Sequence, residues 1–213
     1  MNRFAIIFDL DGTLWDPTDT AFLSWKTTLE KELNGFVITK EQLKKVTGMT
    51  TEKLGETIFP NMEANKRNEL TYKCIINQND IIKSIGGLIY DDVLSELKLL
   101  SKDNDLYIVS NCQTGYIESF LEYYNIKNII KDIECYGNNG LDKKDNIKLI
   151  IERNNIKNSV YVGDTVIDYE SAKYNNIPFI YASYGFGNLE TYDYVINRFV
   201  DLKDVINKIK VNK

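Results

Sequence analysis

The sequence predicts an α/β fold with a parallel sheet and an inserted helical segment, on three observations. Short apolar runs stop abruptly at polar residues, helix-period patterns alternate with those runs, and residues 16–86 show helical periodicity without a convincing strand. The first run, residues 4–8 (FAIIF), stops at Asp9 and is apolar throughout, the pattern of a strand buried on both faces. Within the helical stretch, Phe22, Trp25, Leu29 and Leu33 share one helix face, Thr39 with Gln42 reads as a capping box, and a further helix runs through residues 70–85. Pro17 at one end and Gly86-Gly87 at the other are natural hinges.

Beyond the hinge the alternation is regular. Val93, Leu94, Leu97 and Leu100 mark a helix, and residues 106–109 form a strand that stops at Ser110. Ile117, Phe120, Leu121 and Tyr124 mark the next helix, followed by a weaker strand candidate at 132–136. A helix bearing Ile147, Ile150 and Ile151 leads to a strand at 160–162 that stops at Gly163-Asp164, and residues 178–182 form a strand that stops at Ser183. The expected organisation is a core of residues 1–15 and 87–213 with a helical domain, 16–86, set into it.

Composition excludes several kinds of chemistry. The 213 residues include no histidine, which removes Ser-His-Asp and Cys-His triads, phosphohistidine chemistry and His-containing zinc sites. Cys74, Cys112 and Cys135 are too few and too scattered for a disulfide framework or a Cys-only zinc site. The 26 Lys and Arg against 31 Asp and Glu give a net charge of −5, opposite to the basic footprint of a nucleic-acid binder. No run is long enough to span a bilayer and residues 1–8 lack a leader pattern, so the expectation is a cytoplasmic protein with neither membrane nor nucleic acid as partner. Catalysis must then rest on carboxylates, hydroxyls, lysines or a hard metal ion.

Ligands of open parallel sheets bind beyond the carboxyl ends of the strands. Those ends are Asp9, Ser110 and Asp164. The string Asp9-Leu10-Asp11-Gly12-Thr13-Leu14 sets two carboxylates two residues apart, a pair that needs a cation or a shared proton to be stable. This string, with Ser110-Asn111, Lys143 in the segment Gly140-Leu141-Asp142-Lys143-Lys144-Asp145-Asn146-Ile147, and Gly163-Asp164-Thr165-Val166-Ile167-Asp168, resembles the four ordered motifs of the haloacid dehalogenase-like superfamily. The resemblance implies a Rossmann-like core and a helical cap of the kind found in phosphoglycolate phosphatases and β-phosphoglucomutases.

It also implies roles. Asp9 would be the nucleophile that forms an aspartyl-phosphate, already ionised if it titrates near the reference value of about 3.9. Asp11 would be the general acid and then the base, its carboxyl kept protonated by neighbouring carboxylates. Magnesium would be held by the Asp9 carboxylate, the Asp11 backbone carbonyl and Asp164, with Asp168 set one step back to orient a water or Lys143. Ser110 and the Asn111 N–H would bind phosphoryl oxygens at the start of the next helix, and Lys143, rather than its neighbour Lys144, would neutralise the growing charge. Cys112 reads as a small buried filler.

Asp11 also separates branches of the superfamily, because halide leaves without a proton. The similar dehalogenases lack an acid there, and phosphonatases replace it as well. The predicted activity is a magnesium-dependent phosphatase of small phosphorylated metabolites, acting as a monomer or homodimer, with phosphoglycolate, sugar phosphates, nucleotide monophosphates and pyrophosphate as candidate substrates. A phosphomutase is the enzymatic alternative, weakened because Phe22, Leu23 and Ser24 occupy the region where mutases carry histidine. A noncatalytic binding module of the same fold is the other alternative. Residues 47–50 (TGMT) resemble the cap loop that faces substrate.

Overall fold

The computed structural model describes residues 3–211. The chain enters through β1 (Phe4–Phe8), turns into the short β2 (Trp15–Asp16), and then runs through four helices: α1 (Thr18–Glu32), α2 (Lys40–Val46), α3 (Thr51–Ile58) and α4 (Ala64–Ile85). It returns through β3 (Leu88–Ile89), which pairs antiparallel with β2, Trp15 opposite Ile89 and Asp16 opposite Leu88. This two-stranded ribbon lies where the sequence places hinges. Thr39 closes the expected capping box with Gln42 at the start of α2.

Next come α5 (Val93–Leu100), β4 (Asn104–Ser110), α6 (Tyr116–Tyr123), β5 (Ile130–Cys135), the one-turn α7 (Tyr136–Asn139) and α8 (Lys143–Arg153). The chain finishes through β6 (Ser159–Gly163), α9 (Val166–Tyr174), β7 (Phe179–Ala182), β8 (Tyr194–Ile196) and α10 (Leu202–Val211). Among the described residues the main sheet has the order β5-β4-β1-β6-β7-β8, and every neighbouring pair is parallel. The chain winds outward from β1 through β4 and β5, then crosses back to build β6, β7 and β8 on the other side. That reversal makes the carboxyl end of β1 the natural ligand crevice.

Burial on both faces explains the unbroken apolar runs. Phe4, Ile6 and Phe8 of β1 face a cluster with α5, α6 and α10, while Ala5 and Ile7 face Ile147, Ile150 and Ala172 of α8 and α9. The helical segment has an apolar cluster of its own around Trp25, Leu29, Leu43, Ile58, Phe59 and Leu70. Phe22 and Leu33 pack against it, so the predicted face of α1 is the buried one. Ile82, near the end of α4, joins the larger cluster, and that helix lies along α6. No helix among the described residues is long and apolar enough to cross a membrane.

Candidate active site

The strand ends bring the predicted residues together around one lysine. Asp9 follows β1, Asp164 follows β6, and Lys143 opens α8 beneath them. The Lys143 ammonium is buried and bridges Asp9 Oδ1 at 2.8 Å and Asp168 Oδ1 at 2.6 Å. Lys144, one residue on, points elsewhere, its ammonium 5.1 Å from the ring centre of Tyr174.

Asp164 is fixed by the backbone of a loop with no motif to announce it. Its Oδ2 accepts the Phe186 N–H at 2.7 Å and the Gly187 N–H at 3.3 Å, and its Oδ1 accepts the Thr13 hydroxyl at 3.3 Å. Gly12, at φ +83°, and Gly185 both lie so near this carboxylate that a Cβ at either position would overlap it. Asp168 is committed on both oxygens. Oδ1 holds Lys143, while Oδ2 accepts from the Asp164 N–H, the Thr165 N–H and the Thr165 hydroxyl, forming the capping box that starts α9.

Asp11 stands apart from this cluster. Its Oδ1 accepts the Trp15 indole N–H at 2.7 Å and the Tyr116 hydroxyl at 3.0 Å. Neither donor is marked in the sequence as anything but an apolar aromatic. Behind them, Gln78 of α4 lies beside the Tyr116 hydroxyl and accepts the Trp25 indole N–H at 3.0 Å.

Ser110 ends β4 and is buried with Asn111. The following helix does not begin there, contrary to expectation. Helix α6 starts at Tyr116, after a loop closed by Gly115 at φ +84°, so no helix terminus is presented at Asn111. The Asn111 side chain instead donates to the Gly48 carbonyl at 2.9 Å, tying the core to the residue 47–50 loop. Cys112 is half-buried beside Cys135, and burial pushes its thiol up, which keeps it unreactive.

Electrostatics revise two expectations. Burial raises the Asp9 carboxyl well above the ordinary aspartate range, the Lys143 charge opposes this, and the charges of Asp168 and Asp164 add to it. Asp9 therefore does not titrate as a free aspartate and needs positive charge nearby to stay ionised. Asp11 is pushed up to about 6 chiefly by burial, against the two hydrogen bonds from Trp15 and Tyr116, rather than by neighbouring carboxylates. Asp164 is pushed up to about 7 by burial and then by the charge of Asp168, with the Phe186 and Gly187 N–H groups opposing. Burial works against the charged form of Lys143, but the charges of Asp168 and Asp9 outweigh it and raise this group.

The donor set fits a hard divalent cation. Asp9, Asp164 and Asp168 bring one oxygen each within 4.8 Å of one another, and three buried carboxylates face a single ammonium. Asp168 holds Lys143 and starts α9, which leaves Asp9, bonded through Oδ1 alone, and Asp164, whose Oδ1 meets only the 3.3 Å Thr13 contact, as the side chains to hold the ion. The Asp11 carboxylate lies outside this group.

Between this cluster and the helical segment lies a cavity of about 60 Å³, reached by Asp11, Ser110 and Asn111 from the core and by α1, α2, α4 and the residue 47–50 loop from the other side.

A doubly wound sheet with three buried carboxylates gathered at its central crevice defines an α/β protein whose ligand site lies at the strand ends. The chain belongs to the haloacid dehalogenase-like hydrolases, whose family model matches residues 6–182. No curated protein matches its sequence. Among solved structures, a predicted phosphatase from Clostridium acetobutylicum is 26% identical with a TM-score of 0.78, covering 98% of this chain and 100% of its own. A predicted phosphoglycolate phosphatase from Haemophilus somnus is 18% identical with a TM-score of 0.83, covering 95% and 97%. The HAD hydrolase YfnB from Bacillus subtilis, crystallised with magnesium, is 17% identical with a TM-score of 0.75, covering 97% and 100%.

Proposed function

We propose that the protein is a magnesium-dependent phosphatase of small phosphorylated metabolites, phosphoglycolate phosphatase-like in its branch, working through an aspartyl-phosphate. One observation carries this reading: the two aspartates of the first motif occupy different environments. Asp9 sits in the carboxylate cluster against Lys143, while Asp11 is held by Trp15 and Tyr116 at the edge of the cavity. A nucleophile and a proton donor need that separation.

In this reading Asp9 attacks the phosphorus and the P–O bond to the alcohol breaks. Asp11 gives its proton to the departing alkoxide, then takes one from the water that cleaves the aspartyl-phosphate. Ser110 and the Asn111 N–H bind phosphoryl oxygens, and Lys143 offsets the charge that builds on them. Asp168 positions Lys143. Asp9 and Asp164, with the Asp11 backbone carbonyl, would hold magnesium, which supplies the positive charge that lets a phosphate dianion approach an anionic nucleophile. Magnesium bound to YfnB and phosphatase-described neighbours support the assignment.

The helical segment, residues 16–86, serves as a cap over the core of residues 1–15 and 87–213, excluding water and bulky substrates. Its own apolar cluster and the ribbon of Trp15–Asp16 with Leu88–Ile89 at its base support movement as a unit. The test is phosphate release from small phosphomonoesters with magnesium present. Asp9→Asn should abolish turnover while circular dichroism shows an intact fold; near-normal turnover in that variant overturns the aspartyl-phosphate route.

A further inference from the structure

The cavity between the helical segment and the strand ends also carries information about the alcohol half of the substrate. Trp25, Leu43, Val46, Met49, Leu54 and Ile75 supply most of its far wall. Among the described residues Asp11 is the only charged one lining it, and Lys143, the buried cation nearby, is already shared by Asp9 and Asp168. Lys44 of α2 does not line the cavity; its exposed ammonium lies 5.5 Å from the ring centre of Phe186. A second anion on the substrate would therefore be desolvated against a largely apolar wall and a carboxylate, with no cationic side chain to pair it.

Volume sets a second limit when the helical segment is closed as it is here. A dry cavity of about 150 Å³ holds benzene, so about 60 Å³ in this arrangement takes a group of only a few heavy atoms. One buried polar group on the helical side is left over. Thr18 lines the cavity, and its Oγ1, sealed from solvent, has no hydrogen-bond partner among the described residues, so a turn of the side chain toward the cavity would bring it to a ligand. Such a hydroxyl is costly unless a ligand satisfies it. Of the other polar side chains there, Gln78 bonds the Trp25 indole, Thr47 the Leu43 carbonyl and Asn111 the Gly48 carbonyl, while Thr51, half-buried, has no hydrogen-bond partner for its hydroxyl among the described residues.

We infer that the substrate is a phosphomonoester of a short, uncharged hydroxyalkyl alcohol, whose free hydroxyl pairs with Thr18, and that carboxylate-bearing and bisphosphorylated esters are disfavoured. The inference rests on the phosphatase reading of the same site and narrows it. Phosphoglycolate and pyrophosphate fall outside the class by charge, and nucleotides by size.

The experiment compares kcat/KM, by phosphate release from the full chain with magnesium, for 2-hydroxyethyl phosphate, ethyl phosphate, phosphoglycolate and acetyl phosphate. 2-Hydroxyethyl phosphate and phosphoglycolate differ at the carbon that is a CH₂OH in one and a carboxylate in the other. The neutral ester should be preferred at least tenfold, and equal or better turnover of phosphoglycolate overturns the inference. Acetyl phosphate, small and activated, separates the two levels of the argument: no release from any of the four, acetyl phosphate included, removes the phosphatase reading itself. Thr18→Val should lower the ratio of 2-hydroxyethyl to ethyl phosphate turnover about tenfold and Thr18→Ser should restore it, whereas an unchanged ratio removes Thr18 from the assignment. Met49→Lys, in the loop, should shift preference toward phosphoglycolate about tenfold; no shift shows that wall charge does not select the substrate.

Discussion

The Tyr116 hydroxyl and the Asp11 carboxylate meet at 3.0 Å, and the oxygen they share also receives the Trp15 indole N–H at 2.7 Å. Two donors on Oδ1 fix the plane of the carboxyl and leave Oδ2 as the position for its proton. Gln78, beside the Tyr116 hydroxyl, accepts the Trp25 indole N–H of α1, so polar groups of the helical segment come up against the proposed acid.

Tyr116→Phe keeps the ring and removes the donor. Because that donor favours the ionised carboxylate, its loss raises the Asp11 carboxyl further and moves the pH profile of kcat to higher pH. The variant should lower kcat by about tenfold through misplacement of the acid, with KM within about twofold. Steady-state kinetics across pH test this. A change confined to KM, with the profile unmoved, would show Tyr116 to be structural only.

What the sequence reveals and conceals follows from whether the signal is local. Residues 4–8 read as a buried strand because every one of them is buried, and the motif strings read as a site because their chemistry is contiguous in the chain. Lys143 and Lys144 are harder to separate from sequence, since only the docking of α8 buries one and turns the other toward Tyr174. Strand β8 escapes detection because it is three residues long and two of them are half-buried. Trp15 and Tyr116 carry no sequence sign of their role for a similar reason. Tyr116 is 105 residues from Asp11, and an aromatic on an apolar helix face gives no sign of donating to a carboxylate. The Phe186 and Gly187 N–H groups that hold Asp164 depend on a loop folding back across the sheet. The titration of Asp9 is likewise set by burial, which no motif records.

Magnesium should stabilise the fold, and more so at higher pH. Asp9 and Asp164 have carboxyls raised by burial and by neighbouring carboxylates, Asp164 to about 7. A raised carboxyl binds its proton more tightly folded than unfolded, so without added cation stability falls as pH climbs from about 4 through about 7. A cation that binds the ionised carboxylates of the folded chain restores what is lost. Saturating magnesium should raise Tm by about 5 °C at pH 8 and much less at pH 5.5. Thermal melts at the two pH values measure it, and an equal or absent shift would count against the Asp9–Asp164 ion site.

Lys143→Ala should be far more damaging than Lys144→Ala. The first substitution leaves Asp9 and Asp168 buried without their shared counter-charge and removes a cation from the phosphoryl group, a loss of about 10²–10³-fold in kcat/KM. The second removes only a contact over Tyr174 and should stay within about twofold. Parallel kinetics on both variants, with Tm to confirm folding, decide the matter; the reverse ranking would move the motif by one residue.

The far end of α8 carries an ion-pair network that should make its docking sensitive to acid. Arg153 grips both oxygens of Asp132 at 2.6 and 2.8 Å and reaches Glu134 at 2.6 Å, tying the last turn of the helix that begins at Lys143 to β5. Burial alone would raise the Asp132 carboxyl, but Arg153, Asn154 and the Ile133 N–H outweigh it and hold the group below its usual range. A depressed carboxyl is protonated more readily in the unfolded chain. Its contribution is therefore present above the unfolded value of about 3.9 and is lost as pH falls through the lower folded value. Arg153→Met keeps much of the apolar stem and removes the charge. Because both side chains still reach solvent, the screened cost should be only about 1 kcal/mol at pH 7. Urea unfolding of the two proteins at pH 7 and at pH 3 should show that difference at neutral pH and a smaller one in acid, where protonation of Asp132 in the unfolded chain offsets the pair. A difference that persists undiminished at pH 3 would assign the effect to lost packing of the arginine stem instead of to the ion pair.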